Sequence, residues 1–265
     1  MLSLRKHRLS RLEEFSDAVF GFALTLLVLA SSVPRSYSEL TGLLMGLPAF
    51  LCCFALLVWI WYEHQTFFEH YPVADGLTVL INSALLFVVL VFIYPLKFMF
   101  DSFMSQVFGY NVTANPVIAM RLHELANASI IYGLGFFVLT GLFALLYLNA
   151  YRQRVKLELT PIEAFDARRL AGHHLVSAGV GLFAMFFAML APLTLAFLSP
   201  SSFALMGPAH WLFGTWAGRR RERFIANRST SDPLSLVADP GGSRIPDPES
   251  IGSALGDSGS IRDQR

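Results

Sequence analysis

The feature that most limits what this chain can fold into is an apolar run with a charged entrance: Arg11-Leu-Glu-Glu-Phe15-Ser16-Asp17-Ala-Val-Phe-Gly-Phe22-Ala-Leu-Thr25-Leu26-Leu-Val-Leu29. About 20 residues at about 1.5 Å each reach across a hydrocarbon core of about 30 Å. Residues 14–33 are predicted to do so, closed by Pro34. An ionised Asp near the middle of a membrane helix costs about 2.5–3.5 kcal/mol on insertion scales. Asp17 therefore belongs at the water interface or against partners on neighbouring helices. Beyond it, Thr25 is the only strongly polar side chain before Leu29. Such a helix suits three settings: facing lipid, buried in a bundle, or lining a narrow pore.

The remaining apolar segments set the class. Only 15% of the residues are charged, against about 25% in a soluble domain, and the mean hydropathy is +0.53. The expected fold is all-α, a polytopic membrane protein with six transmembrane helices per subunit. After the first, the spans are placed at 41–67, 76–100, 125–151, 171–198 and 201–217. Trp59, Trp61 and Tyr62 near the end of the second suit the headgroup region. Pro95 is expected to kink the third or end its regular part. Gly133, Gly135 and Gly141 in the fourth allow close helix contact. Thr160-Pro161-Ile-Glu163 reads as an N-cap, a proline at the first helical position and an acidic first turn. The sixth span is short, holds Pro208 and His210, and is expected to stop at Arg219, Arg220, Arg221 and Arg223. Residues 1–223 thus form one transmembrane domain. Residues 224–265, rich in Ser, Gly, Pro and Asp without hydrophobic periodicity, are expected to be a disordered tail.

Lysine and arginine placement gives the topology. The N-terminal segment, the connector from Arg152 to Arg169 and the segment after the sixth span are basic. The loops after the first, third and fifth spans hold only Arg35, Lys97 and Arg121. The positive-inside rule then places both termini of this multi-pass cell-membrane protein in the cytoplasm. Arg5, Lys6, Arg8 and Arg11 ahead of Ala30-Ser31-Ser32 imitate a cleavable signal, but Glu13, Glu14 and Asp17 crowd its core and further spans follow, so cleavage is not expected. Cys52 and Cys53 are adjacent and provide no disulfide framework.

The pattern Arg11-x-x-x-Phe15-Ser16-Asp17 followed by Thr25-Leu-Leu-Val-Leu29 resembles the first-helix signature of the transmembrane protein 175 family of potassium channels. The resemblance continues with Trp61-x-x-His64, Asn82 and Pro95, and Asn127 with Tyr132, over about residues 11–217. It implies a homotetramer whose first helices line a central pore, with rings of large aliphatic side chains as the constriction and potassium as the permeating ion. Carried onto this chain, the constriction falls five residues after the motif Asp, at Phe22, with Thr25, Leu26 and Leu29 further along the pore. Independently of the family, 22, 25, 26 and 29 share one helical face. The chain departs from the pattern in two places: Phe22 stands where the family usually has Leu or Ile, and Ala18 where bacterial members often have Gly. Arg11, Phe15, Ser16 and Asp17 are read as a polar interhelix network that fixes packing, with His64 and Asn82 as candidate partners.

Other chemistry is weakly supported. Glu63-His64, Glu69-His70 and His173-His174 invite a metal, but ligands on one helical face need spacings of three or four, so neither metal nor cofactor is expected. Asn111-Val-Thr113 and Asn127-Ala-Ser129 fit the glycosylation pattern. No phosphate loop, catalytic triad or voltage-sensing arginine ladder is present, and nothing suggests a nucleic-acid partner. The partners expected are potassium ions, lipid and further copies of the chain, and an enzyme is not expected. The alternative is a membrane transporter or a His/carboxylate-dependent membrane enzyme. It would place ionisable groups near the bilayer midplane, whereas here they lie near span ends.

Overall fold

The computed structural model describes residues 2–30, 33–108, 122–192 and 200–231, together with 195 and 198. Among them the long elements are all helices: α1 (Leu2–Leu29), α2 (Tyr37–Met45), α3 (Leu47–His70), α4 (Gly76–Phe108), α5 (Leu122–Arg152), α6 (Pro161–Leu190) and α7 (Met206–Ser231), with a 3-10 turn at Pro200–Leu205 before α7. The described residues up to Arg219 form one compact unit, and those from Arg220 on belong to a second.

Several predicted boundaries move, each for a local reason. The predicted span 14–33 is the second half of α1, which begins among strong helix formers of the basic N-terminal segment and ends at Leu29. The predicted span 41–67 is broken at Gly46. Its N–H closes α2 on the carbonyls of Gly42 and Leu43, both at 3.1 Å. Pro48, with no N–H to give, is accommodated in the first turn of a new helix. Pro95 does not end α4, which runs on to Phe108. The Pro95 carbonyl instead accepts the Tyr132 hydroxyl of α5 at 3.0 Å. The predicted span 171–198 starts ten residues late and ends late. Thr160 and Glu163 form the reciprocal cap, with Thr160 N–H donating to Glu163 Oε2 at 2.7 Å and Glu163 N–H to Thr160 Oγ1 at 3.3 Å. That cap starts α6 at Pro161, and α6 finishes before Pro192.

The arginine cluster does not stop α7. Arginine is a good helix former, so a basic run that arrests membrane insertion need not end a helix. The helix therefore takes in residues 206–231, including the first residues of the segment expected to be disordered. The rest of that segment, and the Asn111-Val-Thr113 pattern, lie outside the described residues.

Among the described residues four helical stretches are long and apolar enough to cross a membrane: Leu47–His70, Gly76–Met104, His123–Arg152 and Pro161–Leu190. α1 and α7 are not among them. The acidic residues of α1, Glu13, Glu14 and Asp17, stand just before its apolar part, and α7 carries its arginines through its middle.

The core joins Phe20, Ala23 and Leu27 of α1 to Cys53 and Leu57 of α3, Leu85 and Ile93 of α4, Leu146 and Tyr147 of α5, and Ala167 and Ala171 of α6. α5 and α6 approach closely where two glycines face each other. A Cβ on Gly133 would lie 2.7 Å from the Gly181 carbonyl, and one on Gly181 would lie 2.9 Å from the Gly133 carbonyl. Gly135 makes room for the Phe92 ring, whereas Gly141 faces open space and serves no contact.

Candidate functional site on the first helix

α1 has two faces. Ser16, Phe20, Ala23 and Leu27 recur at helical spacing and are buried against α3 and α4. Phe15, Ala18, Phe22, Thr25 and Leu29 form a second stripe that is exposed along its length. Phe22 is 55% and Leu29 68% accessible, values that mark a face with no cover inside the subunit. Leu26, predicted on the same face, is half-buried and packs against the subunit's own core. Its 100° step from Thr25 turns it towards Leu27.

A directed chain of hydrogen bonds fixes the buried face. His64 Nε2–H on α3 donates to Asn82 Oδ1 on α4 at 2.7 Å. Asn82 Nδ2–H donates to Ser16 Oγ on α1 at 2.9 Å. The Ser16 hydroxyl then donates to the Leu12 carbonyl at 2.8 Å. Ser16, His64 and Asn82 are all buried, and Phe20 and Phe68 pack on the His64 ring with centroids 5.4 and 4.9 Å away. In a site that excludes water each of these groups must find a protein partner, and three helices are tied together as a result.

The other motif residues lie elsewhere. Asp17, one residue past Ser16, is exposed and accepts Trp61 Nε1–H of α3 at 2.8 Å. Arg11 and Phe15 lie on the exposed stripe, away from the Ser16–Asn82–His64 chain, because helical rotation carries them off the Ser16 face. The expected network thus divides: Ser16 meets Asn82 directly and His64 only through Asn82, Asp17 meets a different residue, and Arg11 and Phe15 join neither among the described residues. The Trp61 partnership was readable only as a matched motif position; no spacing argument pairs residues on separate helices.

Beside this anchor, Glu13, Asp17, His64, Gln65, Phe68 and Glu69 line a small cavity. Burial, and then the carboxylates of Asp17, Glu69 and Glu14, push the Glu13 carboxyl above its ordinary range. On the exposed stripe the Thr25 hydroxyl donates to the Gly21 carbonyl at 3.1 Å. Its proton is committed to the backbone, and the oxygen lone pairs remain available to accept or to face a cation.

Sequence reasoning missed a second polar junction entirely. Asp75, just before α4, accepts Thr78 Oγ1–H and, at 3.1 Å, Asn149 Nδ2–H from α5; Asn149 also donates to Thr78 Oγ1 at 2.9 Å. Burial works against the charge of Asp75, but the hydrogen bonds from Thr78, Gln153 and Asn149 outweigh it and hold the carboxyl below its usual range.

A chain whose described residues include four helices long and apolar enough to cross a membrane belongs to the class of polytopic α-helical membrane proteins. The family described as endosomal/lysosomal potassium channel TMEM175 matches residues 11–93. A protein of Marivirga tractuosa named as a potassium channel is 32% identical over 231 residues, covering 84% of this chain and 93% of its own length. A crystal structure of a variant of the potassium channel MtTMEM175, in complex with a nanobody–MBP fusion, superposes with a TM-score of 0.70 at 32% identity, over 79% of this chain and 93% of that one. The chain belongs to the TMEM175 family, a family of channels and not of enzymes.

Proposed function

We propose that the protein is a potassium-permeable channel in which α1 of each subunit lines a central pore. The observation that carries this reading is the division of α1. One face is fixed by Ser16 and filled by Phe20, Ala23 and Leu27. The opposite stripe of Phe22, Thr25 and Leu29 has no cover within the subunit. A closed ring of copies, a homotetramer in keeping with the family, buries that stripe around its axis. α1 and α7 complete six crossings when the charges near the start of α1 lie at the headgroup level and those of α7 lie beyond the membrane. Both termini are then cytoplasmic.

In this arrangement Phe22 forms the hydrophobic constriction and gates by excluding water. Discrimination comes from pore width, partial dehydration and the Thr25 oxygens, with no filter of backbone carbonyls. Leu26 supports the pore wall from behind.

Potassium flux from loaded liposomes, set against sodium flux, tests the reading. Phe22→Ala raises basal flux and lowers potassium-over-sodium discrimination, and Thr25→Val lowers discrimination at nearly constant volume. Leu26→Ala mainly weakens the subunit and changes selectivity little. Unchanged flux and selectivity in both Phe22→Ala and Phe22→Asn, in a folded assembly, would remove Phe22 from the pore.

A further inference from the structure

His173 on α6 and His210 near the start of α7 meet through their Nδ1 atoms, 3.1 Å apart, with ring centroids 4.0 Å apart. Two ring nitrogens at that distance share either a proton or a cation. On a tetrahedral Zn2+ with Zn–N bonds of about 2.0–2.1 Å, two ligand nitrogens stand about 3.3 Å apart. The observed separation lies within a few tenths of an ångström of that bite.

The far side of His210 is already arranged. Its Nε2 lies 2.9 Å from Ser177 Oγ, and the Ser177 hydroxyl donates to the His173 carbonyl at 3.4 Å. The Ser177 oxygen therefore accepts His210 Nε2–H, which leaves the His210 Nδ1 lone pair aimed at His173. Metal-binding histidines use such an outer hydrogen bond to fix ring and tautomer. The two helices are also held in contact beside the pair, where a Cβ on Gly172 would meet the Phe213 ring at 2.7 Å. Arg169, one turn before His173 on α6, lies 3.6 Å from the Asp166 carboxylate, which offsets but does not abolish the effect of its charge on His173.

We propose that His173 and His210 form a two-histidine site for a divalent transition metal, zinc or one of similar preference, which fastens the start of α7 to α6. The metal takes both Nδ1 lone pairs, and the His173 proton moves from Nδ1 to Nε2, so the rings stay neutral and no net proton is released. Among the described residues no group of three or more His, Cys, Asp or Glu gathers into a metal site. Water therefore fills the remaining positions and the ion is exchangeable. The sequence could not show this pairing, because 173 and 210 belong to different helices.

The test uses the full chain purified in detergent and stripped of metal, titrated calorimetrically with Zn2+ and spectroscopically with Co2+. One Zn2+ per chain is expected, with affinity at least tenfold lower in His173→Ala and in His210→Ala, and weakened in Ser177→Ala. Co2+ should give the visible bands of nitrogen and oxygen ligation. His210→Gln retains a polar side chain and should lose the metal equally, and circular dichroism establishes that each variant is folded. Wild-type affinity in folded His173→Ala or His210→Gln would overturn the site, as would a thiolate charge-transfer band, which assigns the ion to Cys52 or Cys53. Metal binding is read without ion flux, so its outcome is separate from that of the channel reading.

Discussion

Asn82 stands between Ser16 and His64, giving its Nδ2 proton to the one and accepting the Nε2 proton of the other on Oδ1, at 2.9 and 2.7 Å. A side-chain amide does both at once with two separate atoms, so it can bridge partners on two different helices. Replacing it with Ala leaves a buried hydroxyl and a buried imidazole without this partner, at about 1–3 kcal/mol for each group. Asn82→Ala should therefore lower thermal stability in detergent more than Ser16→Ala, which removes one end of the chain. Equal, small effects from the two would show that water replaces the amide.

The bond from Trp61 to Asp17 gives a cleaner test of what the motif acid does. Trp61→Phe keeps most of the ring and removes only the donor. If Asp17 serves assembly and not ion contact, Trp61→Phe should reproduce the direction of Asp17→Ala, a weaker or mixed oligomer by native mass measurement, at smaller size. An intact oligomer with altered conductance in Asp17→Ala would place that carboxylate in the ion path instead.

Asp75 sets an acid limit on stability. Its folded carboxyl lies below the ordinary value of 3.8, so the stabilisation it provides is present at neutral pH. It is lost as pH falls below the ordinary value and through the lower, folded one. Asp75→Asn should melt earlier than the wild type at pH 7, and the gap should close below about pH 4. A gap independent of pH would mean that the charge of Asp75 contributes nothing to the junction with Thr78 and Asn149.

The glycines of α5 separate contact from propensity. Gly133→Ala drives a methyl to 2.7 Å from the Gly181 carbonyl and should destabilise by about 1–3 kcal/mol, the range for overpacked sites. Gly141→Ala meets nothing and should be neutral or stabilising by up to about 1 kcal/mol. The melting temperature should fall in Gly133→Ala and hold or rise in Gly141→Ala; an unchanged or raised value in Gly133→Ala would refute the close crossing with Gly181.

What could be read in advance follows the range of the underlying interaction. Thr160 and Glu163 lie three residues apart, and their cap was legible because both partners belong to one helix turn. That Ser16 finds Asn82, and through it His64, could be anticipated only as one candidate among several, because a buried polar group in a membrane helix must find a partner and few were available. Trp61 with Asp17, and Asp75 with Asn149, were not legible, since no local pattern joins residues 44 and 74 positions apart. The break at Gly46 was missed because Gly-Leu-Pro inside a continuous apolar run leaves hydropathy unchanged while ending a hydrogen-bond ladder.

Because the residues that hold α1 in place and those on its uncovered stripe are different residues, the two can change at different rates. A replacement at 22, 25 or 29 alters what the helix presents outward and leaves the contacts of Ser16, Phe20, Ala23 and Leu27 untouched. A phenyl in place of a branched aliphatic at position 22 therefore asks for no compensating change among the buried residues of α1. If that stripe lines the pore as proposed, permeation can be engineered one side chain at a time while the fold that displays it is left alone.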